Sequence, residues 1–282
     1  ANVLKNSTGY NLTQLIIGSE GTLGIITKIV FKLIPLPTKD ITMLVPFGSL
    51  EKACEAVSAV FRAGITPSAL EFIERDAIDW TLKYSDVQMQ IHDDVKAHLL
   101  VEVDGNDMEL LYKDCKKIAE VMEEFECGEI LLADSESQKE QLWKLRRSIG
   151  EAVKVNSIYK EEDTVVPRAE LPKLLNGVKE IGNKYGFKSI CYGHAGDGNL
   201  HINIIKGKMS KKDWDNKLTF GIREIFKLAT SLGGTISGEH GIGFVQKDYL
   251  NIVLSDENIK LQKGIKKLFD PNAILNPGKI FV

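Results

Sequence analysis

Lys188-Ser189-Ile190-Cys191-Tyr192-Gly193-His194-Ala195-Gly196-Asp197-Gly198-Asn199-Leu200-His201-Ile202-Asn203-Ile204-Ile205 is the stretch that decides the fold. Its two flanks, 188–192 and 200–205, are rich in β-branched and aromatic residues and read as strands. The seven residues between them are too few for a helix. Two strands joined this way are antiparallel neighbours, because a parallel pair needs a crossover of a dozen residues or more.

Working outward, strands and helices alternate. Extended segments are expected at 15–17, 25–33, 41–47, 69–73, 99–103, 130–133 and 164–166, the last because Pro167 disfavours helix before it. Helices are expected at 50–63, capped by Ser49 and ended by Gly64, and at 76–84. Asn106 with Glu109, and Ser135 with Gln138, have the spacing of capping boxes. They open helices to about Phe125 and to about Val155. Further helices cover 170–185, 210–232 and 255–269. The mixture predicts an α+β fold, a largely antiparallel sheet covered by helices.

The chain has 282 residues, which allows one or two domains. Its 36 Lys and Arg against 39 Asp and Glu leave a net charge of −3, so no broad positive field invites nucleic acid. Apolar runs such as Leu99 to Val101 are far short of the ~18–20 residues of a bilayer span. Residues 1–10 lack the apolar core of a signal peptide. Cys54, Cys115, Cys127 and Cys191 form no CxxC pair and read as reduced thiols of a cytoplasmic protein.

The chemistry gathers in two glycine loops. His194 and His201 lie seven apart across the loop already quoted, so a strand–loop–strand aims both imidazoles at one point. Ser237-Gly238-Glu239-His240-Gly241-Ile242-Gly243 adds a carboxylate and a further imidazole. A lone histidine is more often a satisfied structural residue than a ligand. Three of the five histidines in two such loops read instead as a site for a divalent metal. Gly18-Ser19-Glu20-Gly21-Thr22-Leu23-Gly24 is a third dense loop, either a hairpin turn or a place where backbone amides approach a ligand.

These three loops, with the ending Phe269-Asp270-Pro271-Asn272 and Leu275-Asn276-Pro277-Gly278-Lys279, resemble the FAD-linked 2-hydroxyacid dehydrogenases. That family includes D-lactate dehydrogenase, the FAD subunit of glycolate oxidase and D-2-hydroxyglutarate dehydrogenase, all flavoproteins of the vanillyl-alcohol-oxidase type. The resemblance runs from residue 8 to 280. It implies a ferredoxin-like substrate or cap domain over 37–262. Residues 1–36 would be the tail of an FAD-binding domain, and 263–282 a segment returning to it. The N-terminal FAD-binding half would be the partner of this chain, which by itself is expected to hold FAD weakly and to be inactive.

The resemblance also implies roles. His194, His201 and Glu239 match a set that holds Zn, Mn or Fe, and His240 matches the general base. Arg146, in Trp143-Lys144-Leu145-Arg146-Arg147, matches an arginine that forks onto the substrate carboxylate. Lys160 matches a substrate lysine, and Asn203 a polar contact to the substrate or the metal shell. Gly18, Ser19, Glu20, Gly21 and Thr22, with Asn276 and Lys279, match flavin contacts. Gly150 stands where D-2-hydroxyglutarate dehydrogenase carries a threonine for a distal carboxylate, which points to D-lactate, glycolate or another small monocarboxylate. The expected reaction passes a hydride to FAD and electrons onward to an acceptor, such as an electron-transferring flavoprotein or quinone. Two other readings of the same motifs are a catalytically silent metal-binding or regulatory module and a metal-dependent hydrolase.

Overall fold

The computed structural model describes Val3 and residues 5–281. Ala1, Asn2, Leu4 and Val282, which the sequence division assigns to the two end segments, lie outside the described residues. The elements in chain order are α1 (Leu12–Ile16), β1 (Lys39–Phe47), α2 (Leu50–Arg62), β2 (Ala69–Glu74), α3 (Arg75–Tyr84), β3 (Ala97–Gly105), α4 (Met108–Glu124), β4 (Leu131–Leu132), α5 (Glu136–Arg147), α6 (Ile149–Asn156), β5 (Tyr159–Val165), α7 (Leu171–Tyr185), β6 (Lys188–Gly193), β7 (Asn199–Ile205), α8 (Lys211–Ser231), α9 (Leu250–Val253) and α10 (Asp256–Phe269). Among the described residues no helix is long and apolar enough to cross a membrane.

The chain divides into two units, Pro37–Gly238 and a smaller one made of Ala1–Leu36 with Glu239–Val282. Residues 239–262, which the sequence division groups with the larger part, therefore lie in the smaller unit.

The larger unit is built on a seven-stranded sheet of order β4-β1-β3-β2-β6-β7-β5. Every pairing in it is antiparallel. Strand alternation sorts its side chains. One face carries Met43, Val45, Phe47, Phe72, Leu99, Val101, Cys191 and Ile202, all buried. Against it lie α2, α4, α7 and α8. The other face carries Leu44, Ile73, Leu100, Ile190 and Tyr192, which form one cluster with Ile78 of α3, Leu142 and Leu145 of α5, and Ile149 and Val153 of α6. Burying such side chains contributes about 1.5–3 kcal/mol each.

Two expected helix details change. The α4 cap is Asp107, whose carboxylate accepts from Glu109 N at 2.9 Å, while Asn106 Oδ1 accepts from Thr38 N at 3.1 Å. The helix expected from Ser135 to Val155 is two helices. At Ser148 the amide is shared between Lys144 O (3.0 Å) and Leu145 O (3.3 Å), and the 3.6-residue ladder is interrupted there.

In the smaller unit, Leu12–Ile16 is a short helix rather than the expected strand at 15–17, because Asn11 Oδ1 caps Gln14 N at 3.1 Å. Residues 25–33 form no strand: Ile25 (81% exposed), Phe31 (77%) and Leu33 (88%) have no ladder partner among the described residues. Lys266 organises the other half of this unit. Its Nζ donates to Thr22 O (2.7 Å) and Leu275 O (2.8 Å) and pairs with Asp270.

Candidate active site and metal centre

The face of the sheet that packs on α3, α5 and α6 is apolar at its centre and polar towards the β5 edge. In register, Tyr192 of β6 stands beside His201 of β7, and His201 beside Asp163 of β5. Asn203 and Glu161 are the next pair on the same face. The Tyr192 and His201 rings are 5.3 Å apart, and His194 meets His201 edge-on at 5.8 Å. His194 stands just past the end of β6, where Gly198, at φ +75°, closes the turn. A Cβ on Gly198 would lie 2.0 Å from Val166 O, so only glycine fits.

Two helical and strand residues lock this group together. Glu71 on β2, only 5% exposed, places Oε1 2.6 Å from His194 Nδ1 and accepts from Arg146 Nε through Oε2 at 2.7 Å. Arg146 in turn lies over the Tyr192 ring, 5.0 Å from its centroid. Burial works against the Glu71 carboxylate, but the hydrogen bond from His194 and the charge of Arg146 outweigh it and hold Glu71 below the usual glutamate range. Burial, with the nearby charge of Glu161, pushes the Tyr192 phenol up to about 12, so it is a neutral donor at working pH. His194 and Glu71 also line a cavity of about 220 Å³ with Phe61, Leu70, Arg168 and Asp197.

His201 Nδ1 lies 3.3 Å from Glu161 Oε1 and 3.9 Å from Asp163 Oδ1. Asp163 is fully buried and accepts from Asn199 Nδ2 at 2.6 Å. It also fastens the end of this unit: Gly238 N donates to Asp163 O at 2.9 Å and to its Oδ2 at 3.0 Å. Asn203 is fully buried, and its Oδ1 has no hydrogen-bond partner among the described residues. Two imidazoles with carboxylates beside them are a donor set that suits a borderline divalent metal.

The placement of the sequence candidates follows. His194, His201, Asn203 and Arg146 come together in the larger unit. Gly150 is there too, and a Cβ at that position would meet the Tyr192 hydroxyl at 3.5 Å. Lys160 does not join them. On β5 the residues alternate, and Glu161 is the one on the His201 face. Lys160 points to the opposite face, 3.5 Å from the buried Glu162. Glu239 and His240 follow Gly238 as the first residues of the other unit's second stretch.

Within that smaller unit, Glu20 (φ +52°) accepts from Ile242 N and Gly243 N, each at 2.8 Å, so both its oxygens brace the loop that follows His240. The backbone of the same motif is engaged locally: Ser19 N donates to Ile16 O at 3.1 Å and Thr22 N to Ser19 O at 2.9 Å. Asn276 Nδ2 donates to Gly21 O at 3.0 Å and would lie 2.6 Å from a Cβ on Gly21. Lys279 is exposed beside it.

Sequence reasoning missed Glu71, Tyr192, Glu161 and Asp163. Glu71 had one signal, a carboxylate inside the apolar run Ala69-Leu70-Glu71-Phe72-Ile73.

Residues 36–280 match the family of FAD linked oxidases, C-terminal domain. The chain is 37% identical over 285 residues to a D-lactate dehydrogenase of Anaerostipes hadrus, covering 99% of this chain and 60% of that protein. It is 36% identical over 280 residues to glycolate oxidase subunit GlcD of Bacillus subtilis, covering 98% and 58%. To a D-2-hydroxyglutarate dehydrogenase of Stutzerimonas stutzeri it is 33% identical over 282 residues, covering 99% and 60%. The chain thus spans about 60% of the length of these relatives. Among solved structures, alkyldihydroxyacetonephosphate synthase superposes with a TM-score of 0.63 at 15% identity, covering 96% of this chain and 50% of that one. For p-cresol methylhydroxylase the TM-score is 0.61 at 16% identity, covering 89% and 54%. Identities this low show a shared fold alone. The family match over nearly the whole length, with the antiparallel sheet beneath it, establishes that the chain belongs to the C-terminal domain family of FAD-linked oxidases.

Proposed function

We propose that the chain is the substrate- and metal-binding part of an FAD-linked D-2-hydroxyacid dehydrogenase acting on D-lactate or another small monocarboxylate. The observation that carries this reading is the meeting of His194, His201 and Arg146 on one polar sheet face, with Glu71 joining two of them. His194, His201 and Glu239 would hold a divalent metal. Glu239 is the residue after Gly238, which Asp163 pins to β5. When bound, the metal would lower the pKa of the substrate hydroxyl, and FAD would take up the hydride from C2.

This chain's own residues do the rest. Arg146 gives Nε to Glu71 and keeps its two Nη groups for a substrate carboxylate, the bidentate use that sets arginine apart from lysine. His240 takes the hydroxyl proton. Asn203 offers a buried amide oxygen to the substrate or its hydroxyl. Glu161 and Gly150 discriminate against a second carboxylate, the first by charge and the second by offering no donor. For flavin, the backbone of 18–22 with Asn276 and Lys279 supplies contacts, and the N-terminal FAD-binding half supplies most of the grip. Electrons then leave to a quinone or an electron-transferring flavoprotein.

The test is anaerobic reduction of the flavin in the intact protein. D-Lactate should bleach the flavin absorbance and D-2-hydroxyglutarate should do so far more slowly. A protein that binds Zn2+ or Mn2+ yet is reduced by no 2-hydroxyacid would overturn the reading.

A further inference from the structure

We infer that Glu71 is a positioning residue that sets both the metal-facing nitrogen of His194 and the plane of the Arg146 guanidinium, an inference that rests on the function proposed above. The strand around it gives no packing reason for a charge. Glu71 pairs in register with Leu100, which pairs with Leu44, both buried. Placing a carboxylate there costs several kcal/mol unless each oxygen finds a charged or donor partner. Each does. Oε1 meets His194 Nδ1 at 2.6 Å and Oε2 meets Arg146 Nε at 2.7 Å.

Both contacts constrain chemistry further out. An ionised carboxylate only accepts, so Nδ1 of His194 carries the proton and Nε2 carries the lone pair that a metal needs. Arg146 is held by Nε, and its planar group is stacked on Tyr192, so its remaining edge is fixed in direction. One carboxylate therefore sets the register between the metal position and the carboxylate fork. Glutamine at this position has one acceptor oxygen and a donating amide. With the two partners on different oxygens, it turns a donating NH2 towards one of these two donors. Aspartate has two acceptors but is one methylene too short to reach both.

The experiment compares Glu71→Gln, Glu71→Asp and Glu102→Gln in the intact protein. Glu102 is the control: a partly buried carboxylate on the same sheet face, bonded to Trp143 Nε1 (2.8 Å) and Thr42 Oγ1 (2.9 Å), with no link to the site residues. Zn2+ affinity is measured by chelator competition, and kcat and KM are measured with D-lactate. Both Glu71 variants should weaken Zn2+ binding about 10- to 100-fold, the usual loss for an outer-shell partner of a ligating histidine. They should also raise KM by about tenfold or more. Glu102→Gln should lower thermal stability and change neither. Glu71 variants that lose stability as Glu102→Gln does but keep Zn2+ affinity and KM would overturn the inference alone. A wild-type protein with no Zn2+ or Mn2+ affinity would overturn the metal reading as well. Should the Glu71 variants fail to fold, nitrogen NMR of His194 in the wild type decides: an Nδ1–H tautomer supports the brace and an Nε2–H tautomer refutes it.

Discussion

Arg146→Lys is the sharpest probe of the site, because it keeps the charge and removes the geometry. In the structure Arg146 does three things at once. It donates Nε to Glu71 at 2.7 Å, it covers the Tyr192 ring at 5.0 Å, and it retains two Nη groups with no carboxylate partner among the described residues. A lysine ammonium is a single point charge. It can pair with Glu71 and so spare the buried carboxylate the roughly 3–5 kcal/mol penalty of standing alone. Paired there, its ammonium is drawn to Glu71, and its remaining hydrogens lack the planar fork that grips a substrate carboxylate. The substitution should remove at least one charge-assisted hydrogen bond to substrate, about 1.5–3 kcal/mol, or about 10- to 150-fold in KM for D-lactate. Because that bond forms in ground and transition states alike, kcat should fall much less. The assay is steady-state oxidation of D-lactate with an artificial acceptor, paired with urea unfolding of the same preparations. A KM within twofold of wild type, with lowered stability, would show that Arg146 is only the counter-ion of Glu71.

Three other outcomes are expected. His201→Ala should lose both bound metal and activity, whereas His240→Ala should lose activity with metal retained; equal metal loss in both would show that His240 is misassigned as the base. His98, buried between β1 and β2, is pushed down by burial and by Arg75 from 6.5 to about 4. The unfolded chain takes up this proton as pH falls through 6.5 and the folded chain does not, so about 3 kcal/mol of stability should drain away between pH 6.5 and about 4 and then level off. Urea unfolding of His98→Phe, set against wild type across that window, should show a shallower loss, and parallel curves would refute it. Gly198→Ala forces a side chain into φ +75° and onto Val166 O, which should cost at least about 2 kcal/mol, or about 4–8 °C in melting temperature.

Much of this arrangement is legible in the sequence because its signals are local. The two strands around Gly193–Asn199 and the caps Ser49 and Ser135 are each written within a few residues. What escapes is set at a distance. Glu71 finds its partners 75 and 123 positions along the chain, and no spacing rule announces them. Lys160 and Glu161 differ by one residue, and on a strand one residue is the difference between opposite faces of the sheet. The apolar run at 25–33 describes a segment able to pair, and pairing needs a neighbour that the run itself does not supply.

Glu71 and Glu74 stand three apart on the same strand, on opposite faces, and their surroundings separate a structural charge from a functional one. Glu74 receives Lys179 Nζ on both oxygens, at 2.6 and 2.7 Å, and the amide of Cys191 at 2.8 Å. Lys179 spends a further hydrogen on Ser189 O at 2.9 Å. Each of the donors in that cluster is turned inward, so the ion pair ties α7 to β2 and β6 and ends there. Glu71 is bound instead by an imidazole and a guanidinium, groups with a second edge to offer. The carboxylate that holds them is satisfied, and Arg146 keeps two Nη groups with no carboxylate partner among the described residues. On the function proposed above, the guanidinium edge that Glu71 leaves uncovered is what this sheet face offers to a substrate carboxylate, whereas the Glu74 cluster offers nothing outward.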